Sequence, residues 1–149
     1  MSKRVMVIDD DENSVKFITA VLEENGYETA IAYDGREGVD KLKQEKVDLI
    51  ILDVMMPKRT GFVVFKQLKR DDQLMDIPVL MLTGVAASLA DMDSESDDTH
   101  ARPFDSLRES LRRTIKEMRE EGDVKPEMFV DKPVDPDALI KKIKSLIGE

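Results

Sequence analysis

The sequence predicts an α/β fold in which helices cover both faces of a parallel, doubly wound sheet. Short apolar runs recur along the chain and predict buried strands at Arg4–Ile8, Tyr27–Ala32, Val47–Leu52 and Ile77–Leu82, with a weaker fifth at Met128–Val130. The third and fourth runs are almost continuous in Val, Leu, Ile and Met, as in sheets buried on both faces. Segments with helical spacing lie between the runs, and this alternation favours parallel strands joined by right-handed crossovers.

Each predicted helix carries an apolar stripe. The stripes lie within Val15–Leu22, Val39–Leu42, Phe62–Leu68 and Leu139–Ile147. Gly26 is placed to end the first helix, because glycine tolerates the left-handed conformation that often follows a helix. Asp135 and Pro136 are placed to begin the last helix, with Pro at its first position.

Composition excludes several classes of protein. The chain has 149 residues, enough for one domain, and its net charge of −9 disfavours a nucleic-acid binder. It has no Cys and one His, which excludes a disulfide framework, a thiolate nucleophile and a His-rich metal cluster. No apolar run approaches the roughly 20 residues of a membrane span. We therefore expect a cytoplasmic single domain, residues 1–149, with no membrane insertion and no attached output domain.

The segment 84–125 does not follow the strand–helix rhythm. Five acidic residues lie within the eight residues Asp91–Asp98, which predicts a solvated loop. His100 lies in the same predicted loop. Beyond it, Pro103–Glu121 has apolar residues at steps of three or four, which predicts a long helix that ends at Gly122. The segment is therefore expected to form an enlarged loop followed by a lengthened fourth helix.

Polar side chains follow four of the five predicted strands. Asp9, Asp10 and Asp11 follow the first strand, Asp53 the third, Thr83 the fourth and Lys132 the fifth. The carboxyl ends of parallel strands lie at one edge of a sheet, and this edge is where such folds bind ligands. These side chains are therefore expected to converge.

A cluster of carboxylates needs a cation. Two carboxylates about 4 Å apart repel by about 4 kcal/mol at an effective dielectric near 20. Oxygen ligands without His or Cys suit Mg²⁺, with Mn²⁺ as a possible substitute. Because Mg²⁺ commonly accompanies phosphate, and a carboxylate can itself attack phosphorus, the pattern indicates phosphoryl transfer through an acyl phosphate. A purely structural Asp53 would instead bury a charge at the end of an apolar strand, which is costly.

Four segments resemble the signature of response-regulator receiver domains. They are Asp9-Asp10, LIILDVMMPKRTG (Leu49–Gly61), VLMLTG (Val79–Gly84) and FVDKP (Phe129–Pro133). The resemblance covers nearly the whole chain except Gly84–Lys125. It implies a flavodoxin-like five-stranded sheet of order 2-1-3-4-5 and a role in two-component signalling.

The resemblance also implies a role for each site residue. Asp53 would be the phosphoacceptor, and Asp10, Asp53 and the backbone carbonyl of Met55 would ligate Mg²⁺, with Asp9 acting through water. Lys132 would pair with the phosphoryl group.

The same resemblance implies a switch and a set of partners. Thr83 would move towards the phosphoryl group, Phe129 would be an aromatic switch, and the Lys132-Pro133 bond would be cis. A histidine kinase or a histidine phosphotransfer protein would donate phosphate, and an unknown downstream protein would recognise the switched surface. Such a domain is not a turnover enzyme, although it can catalyse its own dephosphorylation. Met55 and Val85, which would line the path of the attacking water, cannot orient it by a side-chain hydrogen bond, so dephosphorylation should be slow.

Two other interpretations stay open on the sequence. Asp9 and Asp11 after an apolar strand also resemble a haloacid-dehalogenase-type phosphatase, but Glu12-Asn13 replaces the usual Gly-Thr and Asp53 is left without a role. The second is an interaction module with a vestigial site, or one that only relays phosphate. Asp11 and Glu12 are better explained as residues that favour the start of the first helix through its dipole.

The segment 84–125 generates a prediction about partner recognition. Deleting Ala86–Asp98 should leave phosphorylation by acetyl phosphate largely intact, because the loop supplies no predicted site residue. Replacing Arg112, Lys116 and Arg119 with Glu should instead impair capture of the downstream protein by the phosphorylated form, because rim charges tune association. If the deletion prevents phosphorylation and the charge reversals change nothing, the two roles are reversed.

Overall fold

The computed structural model describes residues 3–54, 61–83, 113, 116–122, 129–131 and 134–148. The described strands are β1 (Arg4–Ile8), β2 (Glu28–Ala32), β3 (Leu49–Asp53), β4 (Val79–Thr83) and β5 (Phe129–Asp131). The described helices are α1 (Glu12–Glu24), α2 (Gly35–Gln44), α3 (Gly61–Arg70) and the C-terminal helix (Pro136–Ile147). Residues 116–120 are also helical.

The five strands form one parallel sheet in the order β2-β1-β3-β4-β5. The predicted fold class and strand order are therefore confirmed. The chain passes from β1 outwards to β2 and then returns to the other side of β1 as β3, so strand order reverses next to β1. In open α/β sheets the ligand crevice lies at such a reversal, beyond the carboxyl ends of the strands.

Two apolar layers hold the sheet from its two faces. One layer joins alternate strand residues to α2, α3 and the buried Met118 of the helical residues 116–120. The other joins the opposite strand residues to α1 and the C-terminal helix. Every residue of β3 and β4 is buried. The nearly continuous apolar runs that predicted a doubly covered sheet are explained by this burial.

Helix ends follow the signals in the sequence. Gly26, after the end of α1, has φ of 87°, a left-handed conformation that glycine adopts without strain. Gly122 closes the helical residues 116–120 in the same way, with φ of 80°. Asp135 caps the C-terminal helix by accepting a hydrogen bond from the backbone N–H of Asp137, with Pro136 in the first turn.

The two outer strands of the sheet, β2 and β5, are each contacted by a lysine of the helix that follows that strand in the chain. On the β2 edge, the ammonium of Lys41 donates to the carbonyl oxygen of Ile31. On the β5 edge, the ammonium of Lys142 donates to the carbonyl oxygen of Phe129. Edge carbonyls offer acceptors to strands of other molecules, so these lysines occupy acceptors at which a foreign strand could add.

Gly61 generates a stability prediction, because its Cα lies against the backbone of β3. A Cβ at Gly61 would lie 2.4 Å from the carbonyl oxygen of Asp53 and 2.8 Å from Cα of Val54. Neither backbone atom can move without disturbing the strand, so Gly61→Ala should lower the free energy of unfolding by roughly 1–3 kcal/mol. Thermal or urea unfolding measures this loss.

Gly38→Ala is the matched control. Its Cβ would lie 2.6 Å from Cδ1 and 3.0 Å from Cγ1 of Ile8, which are side-chain atoms and shift more readily than backbone. We therefore expect a smaller loss than for Gly61→Ala. Equal losses would contradict the assignment of the Gly61 contact as rigid.

Candidate functional site

The site lies at the carboxyl-end edge of the sheet, and neighbouring strands fix its backbone. Asp9 directly follows β1, and its backbone N–H donates to the carbonyl of Ala32 at 3.1 Å. Asp53 is the last residue of β3 and lies opposite Leu82 of β4. Thr83 is the last residue of β4 and lies opposite Asp131 of β5. Asp53 and Thr83 thus belong to the ladder itself, one residue further than the apolar runs extend.

Three carboxylates converge at this edge. Asp9, Asp10 and Asp53 each place a carboxylate oxygen within 4.8 Å of the others. Asp9 and Asp53 are buried, with exposed fractions of 0% and 2%, whereas Asp10 is exposed. Within the described part of the chain, this is the one group of three or more acidic, His or Cys side chains with metal-binding spacing. The predicted convergence of the β1 and β3 carboxylates is present in the structure.

Charge repulsion defines what this cluster can bind. At an effective dielectric near 20, two unit charges less than 5 Å apart repel by at least about 3 kcal/mol. Burial of Asp9 and Asp53 reduces the screening that water would supply. Mg²⁺ holds oxygen ligands at about 2.0–2.1 Å, so ligands on opposite sides of the ion are about 4 Å apart. The oxygen-only donor set and its spacing therefore fit a small, hard divalent cation.

Hydrogen bonds separate the three consecutive acids into different roles. The backbone N–H of Asp11 donates to Oδ1 of Asp9 at 3.0 Å, which orients the buried carboxylate. Asp11 itself is the N-cap of α1, because its carboxylate accepts from the N–H of Asn13 at 3.0 Å and from the hydroxyl of Ser14 at 3.1 Å. The interpretation of Asp11 as a helix-start residue agrees with this geometry.

The remaining predicted site residues are partly described. Thr83 is fully buried at the end of β4, and Phe129 is 6% exposed at the start of β5. Met55, Lys132 and Val85 lie outside the described residues, as do the acidic run and His100. On the predicted fourth helix, Lys116 and Arg119 are exposed and Met118 is buried, while Arg112 lies outside the described residues.

The end of β2 carries a feature that the sequence reasoning did not single out. Tyr33 directly follows β2 and is 42% exposed at the same edge of the sheet as the carboxylates. Its backbone N–H donates to Oε2 of Glu37 at 3.4 Å, and Oε1 of Glu37 pairs with the Lys41 ammonium at 3.2 Å. The signal in the sequence was available, since Tyr33 is the first residue after an apolar run.

Residues 5–104 match the sequence profile of the response regulator receiver domain. The chain belongs to this family. It is a receiver domain of two-component signalling, and such domains are not turnover enzymes. The matched range ends within the segment 84–125, which departs from the strand–helix alternation.

Curated relatives agree with this assignment. The chain is 40% identical over 120 residues to the DNA-binding dual master transcriptional regulator RpaA of a Synechocystis strain, a match that covers 74% of this chain and 50% of that protein. It is 34% identical over 145 residues to response regulator MprA of Mycobacterium ulcerans, covering 91% of this chain and 62% of that protein. The chain thus spans about half to three-fifths of the length of these relatives.

Solved structures share the whole fold. Chemotaxis protein CheY4 of Vibrio cholerae superimposes with a TM-score of 0.67 at 25% identity, covering 98% of this chain and 99% of that one. The receiver domain of Francisella response regulator 1452 has a TM-score of 0.67 at 27% identity, covering 98% and 97%. None of the helices in the described ranges combines the length and the apolar character needed to cross a membrane.

The carboxylate cluster generates a prediction about Mg²⁺. Adding Mg²⁺ should raise the melting temperature of the wild-type protein, because an ion that binds only the folded state stabilises it. Asp10→Asn should weaken Mg²⁺ binding by about tenfold or more, since a charged ligand is lost. Calorimetric titration with Mg²⁺ measures the affinity.

Asp76→Asn is the control, because Asp76 is also an exposed Asp but precedes β4 at the opposite end of the strands. It should bind Mg²⁺ as the wild type does. Equal weakening by both substitutions would mean that Mg²⁺ responds to net charge rather than to the cluster.

Proposed function

We propose that the chain accepts a phosphoryl group from a phosphohistidine on the carboxylate of Asp53, in a reaction that depends on Mg²⁺. The observation that carries the proposal is the convergence of Asp9, Asp10 and Asp53 at the carboxyl edge of the sheet. Membership of the receiver family supports it independently. The chain then acts as a single receiver domain in the cytoplasm and carries its signal by a change of surface.

Four groups would hold the ion. Asp10 and Asp53 would ligate it directly together with the backbone carbonyl of Met55, and Asp9 would act through water. The bond from Asp11 N–H to Oδ1 of Asp9 supports an outer role for Asp9, since one of its oxygens is already engaged. When bound, the ion would offset the negative charge of the cluster and of the incoming phosphoryl group.

Transfer requires Asp53 to act as the nucleophile. A carboxylate oxygen of Asp53 forms a bond to phosphorus while the bond from phosphorus to the donor imidazole nitrogen breaks. The nitrogen keeps the electron pair and takes up a proton. The β3–β4 ladder holds Asp53 opposite Leu82, so the chain contributes mainly by positioning the oxygen before the donor arrives.

The phosphoryl group then biases a switch. Lys132 would pair with its oxygens, and the Thr83 hydroxyl would move towards it and leave room for Phe129 to change position. Thr83 and Phe129 lie on adjacent strands, since β4 pairs with β5. Phosphorylation can act on a partner only by favouring one of two arrangements of this pair.

Signalling is completed by two classes of protein. A histidine kinase or a histidine phosphotransfer protein would supply phosphate. A downstream protein would then bind the surface of the phosphorylated chain, and we propose Arg112, Lys116 and Arg119 as residues that contact it. The segment 84–125 would be an enlarged loop and a lengthened helix beside this surface. Apolar Met55 and Val85 favour a long-lived phosphoaspartate, so any autophosphatase activity should be slow.

Asp53→Asn tests the proposal directly. The variant should take up no label from acetyl phosphate in the presence of Mg²⁺, because an amide cannot form the acyl phosphate. Without Mg²⁺ it should be at least as stable as the wild type, since removing one charge relieves repulsion within the cluster. Labelling by mass spectrometry and thermal unfolding measure the two effects.

Asp76→Asn again serves as the control and should be labelled normally. Wild-type labelling of the Asp53→Asn variant would refute the proposal. A large loss of melting temperature without Mg²⁺ would contradict the expected relief of repulsion and show that Asp53 stabilises the fold.

A further inference from the structure

Tyr33 is a large aromatic side chain that is exposed to solvent at the carboxyl-end edge of the sheet, where the carboxylate cluster lies. It is 42% exposed and follows the last residue of β2, a strand that pairs with β1. The other exposed large hydrophobic side chains of the described residues are Phe17, Val63 and Met75. Those three lie in α1, in α3 and in the turn before β4, so Tyr33 alone among them immediately follows a strand at the carboxyl edge.

The backbone beneath Tyr33 is held by a built network. Glu37 accepts from the Tyr33 N–H at 3.4 Å and pairs with the Lys41 ammonium at 3.2 Å. The same ammonium donates to the carbonyl oxygen of Ile31, two residues before Tyr33. Asp34, the residue after Tyr33, caps α2 by accepting from the N–H of Glu37 at 2.8 Å. The backbone that carries the exposed ring is thus held by hydrogen bonds. Little backbone conformational freedom is therefore lost when a partner covers the ring.

Strand spacing places Tyr33 close enough to Asp53 to be reached by a protein that delivers phosphate there. Since β1 alone separates β2 from β3, and strands lie about 4.8 Å apart, Tyr33 is roughly 10 Å from Asp53. A typical interface covers about 800 Å² on each partner, which is a disc of about 16 Å radius. A donor protein whose interface is centred on Asp53 therefore covers Tyr33. A small-molecule phosphodonor can enter the crevice without contacting Tyr33.

We propose that Tyr33 is an anchor and specificity residue for the protein that phosphorylates this chain. Its ring packs against an apolar surface next to the donor's phosphohistidine. Tyrosine suits such a role, because it supplies a large contact area with few rotatable bonds and is common among residues that dominate interfaces. The inference rests on the proposed function of Asp53 but concerns only protein donors.

The experiment compares two donors on four proteins. The donors are acetyl phosphate and an autophosphorylated sensor histidine kinase, chosen from a purified panel as the one that phosphorylates the wild-type chain fastest. The proteins are the wild type, Tyr33→Ala, Tyr33→Phe and Met75→Ala. Met75 is a matched control, because it is 43% exposed but precedes β4, at the opposite edge of the sheet.

With the kinase as donor, Tyr33→Ala should lower kcat/KM by about tenfold, equivalent to about 1.4 kcal/mol. The loss should appear mainly as a higher KM, because the ring contributes to docking and not to the chemical step. Tyr33→Phe should retain most of the wild-type rate, since it keeps the ring. Met75→Ala should match the wild type, and all four proteins should be labelled alike by acetyl phosphate.

Two results would overturn the inference while leaving the proposed function intact. Kinase transfer to Tyr33→Ala at the rate of Met75→Ala would show that the ring is not an anchor. An equal loss with acetyl phosphate would show that Tyr33 supports the site or the fold instead of donor docking. Failure of acetyl phosphate to label the wild-type chain would instead refute the proposed role of Asp53.

Discussion

The site depends on one constraint, which is the repulsion between carboxylates that the sheet holds close together. Asp9 directly follows β1 and Asp53 is the last residue of the adjacent strand β3. The β1–β3 register pairs Ile8 with Leu52 just before them. Moving the two strand ends apart would break ladder hydrogen bonds. The cluster therefore concentrates three acidic groups within a 4.8 Å span, and a bound cation would offset their charge without moving the strands.

The fold and the site share the same contacts. The backbone of Gly61, where α3 begins, approaches the end of β3 so closely that only a hydrogen fits in place of a side chain. The Gly61 N–H also donates to the carbonyl of Val54 at 2.9 Å, which fixes the chain just beyond Asp53. A change of position at Asp53 would therefore affect the start of α3 through these contacts.

The sequence predicted the strand ends better than the strand starts, for a physical reason. Asp53 and Thr83 are the first polar residues after apolar runs, and although both are buried they mark where the strands end at the site. Tyr27 is also buried, but its N–H bonds to Leu22 of α1 and not to a strand, and Ile77 bonds to Leu74 in the same manner. The pattern of apolar residues indicates which residues are buried, but it cannot distinguish a buried residue within a strand from a buried residue outside one. Tyr33 was missed because its exposure and its support by Glu37 depend on how α2 packs beside β2.

Chemical mapping of the phosphorylated residue tests the central claim most directly. The wild-type protein is treated with acetyl phosphate and Mg²⁺, the acyl phosphate is trapped by borohydride reduction, and the modified residue is located by peptide mass spectrometry. Modification of Asp53 alone is the predicted result. Modification of Asp9 would contradict the account, because it would place the nucleophile after β1, as in haloacid-dehalogenase-type phosphatases.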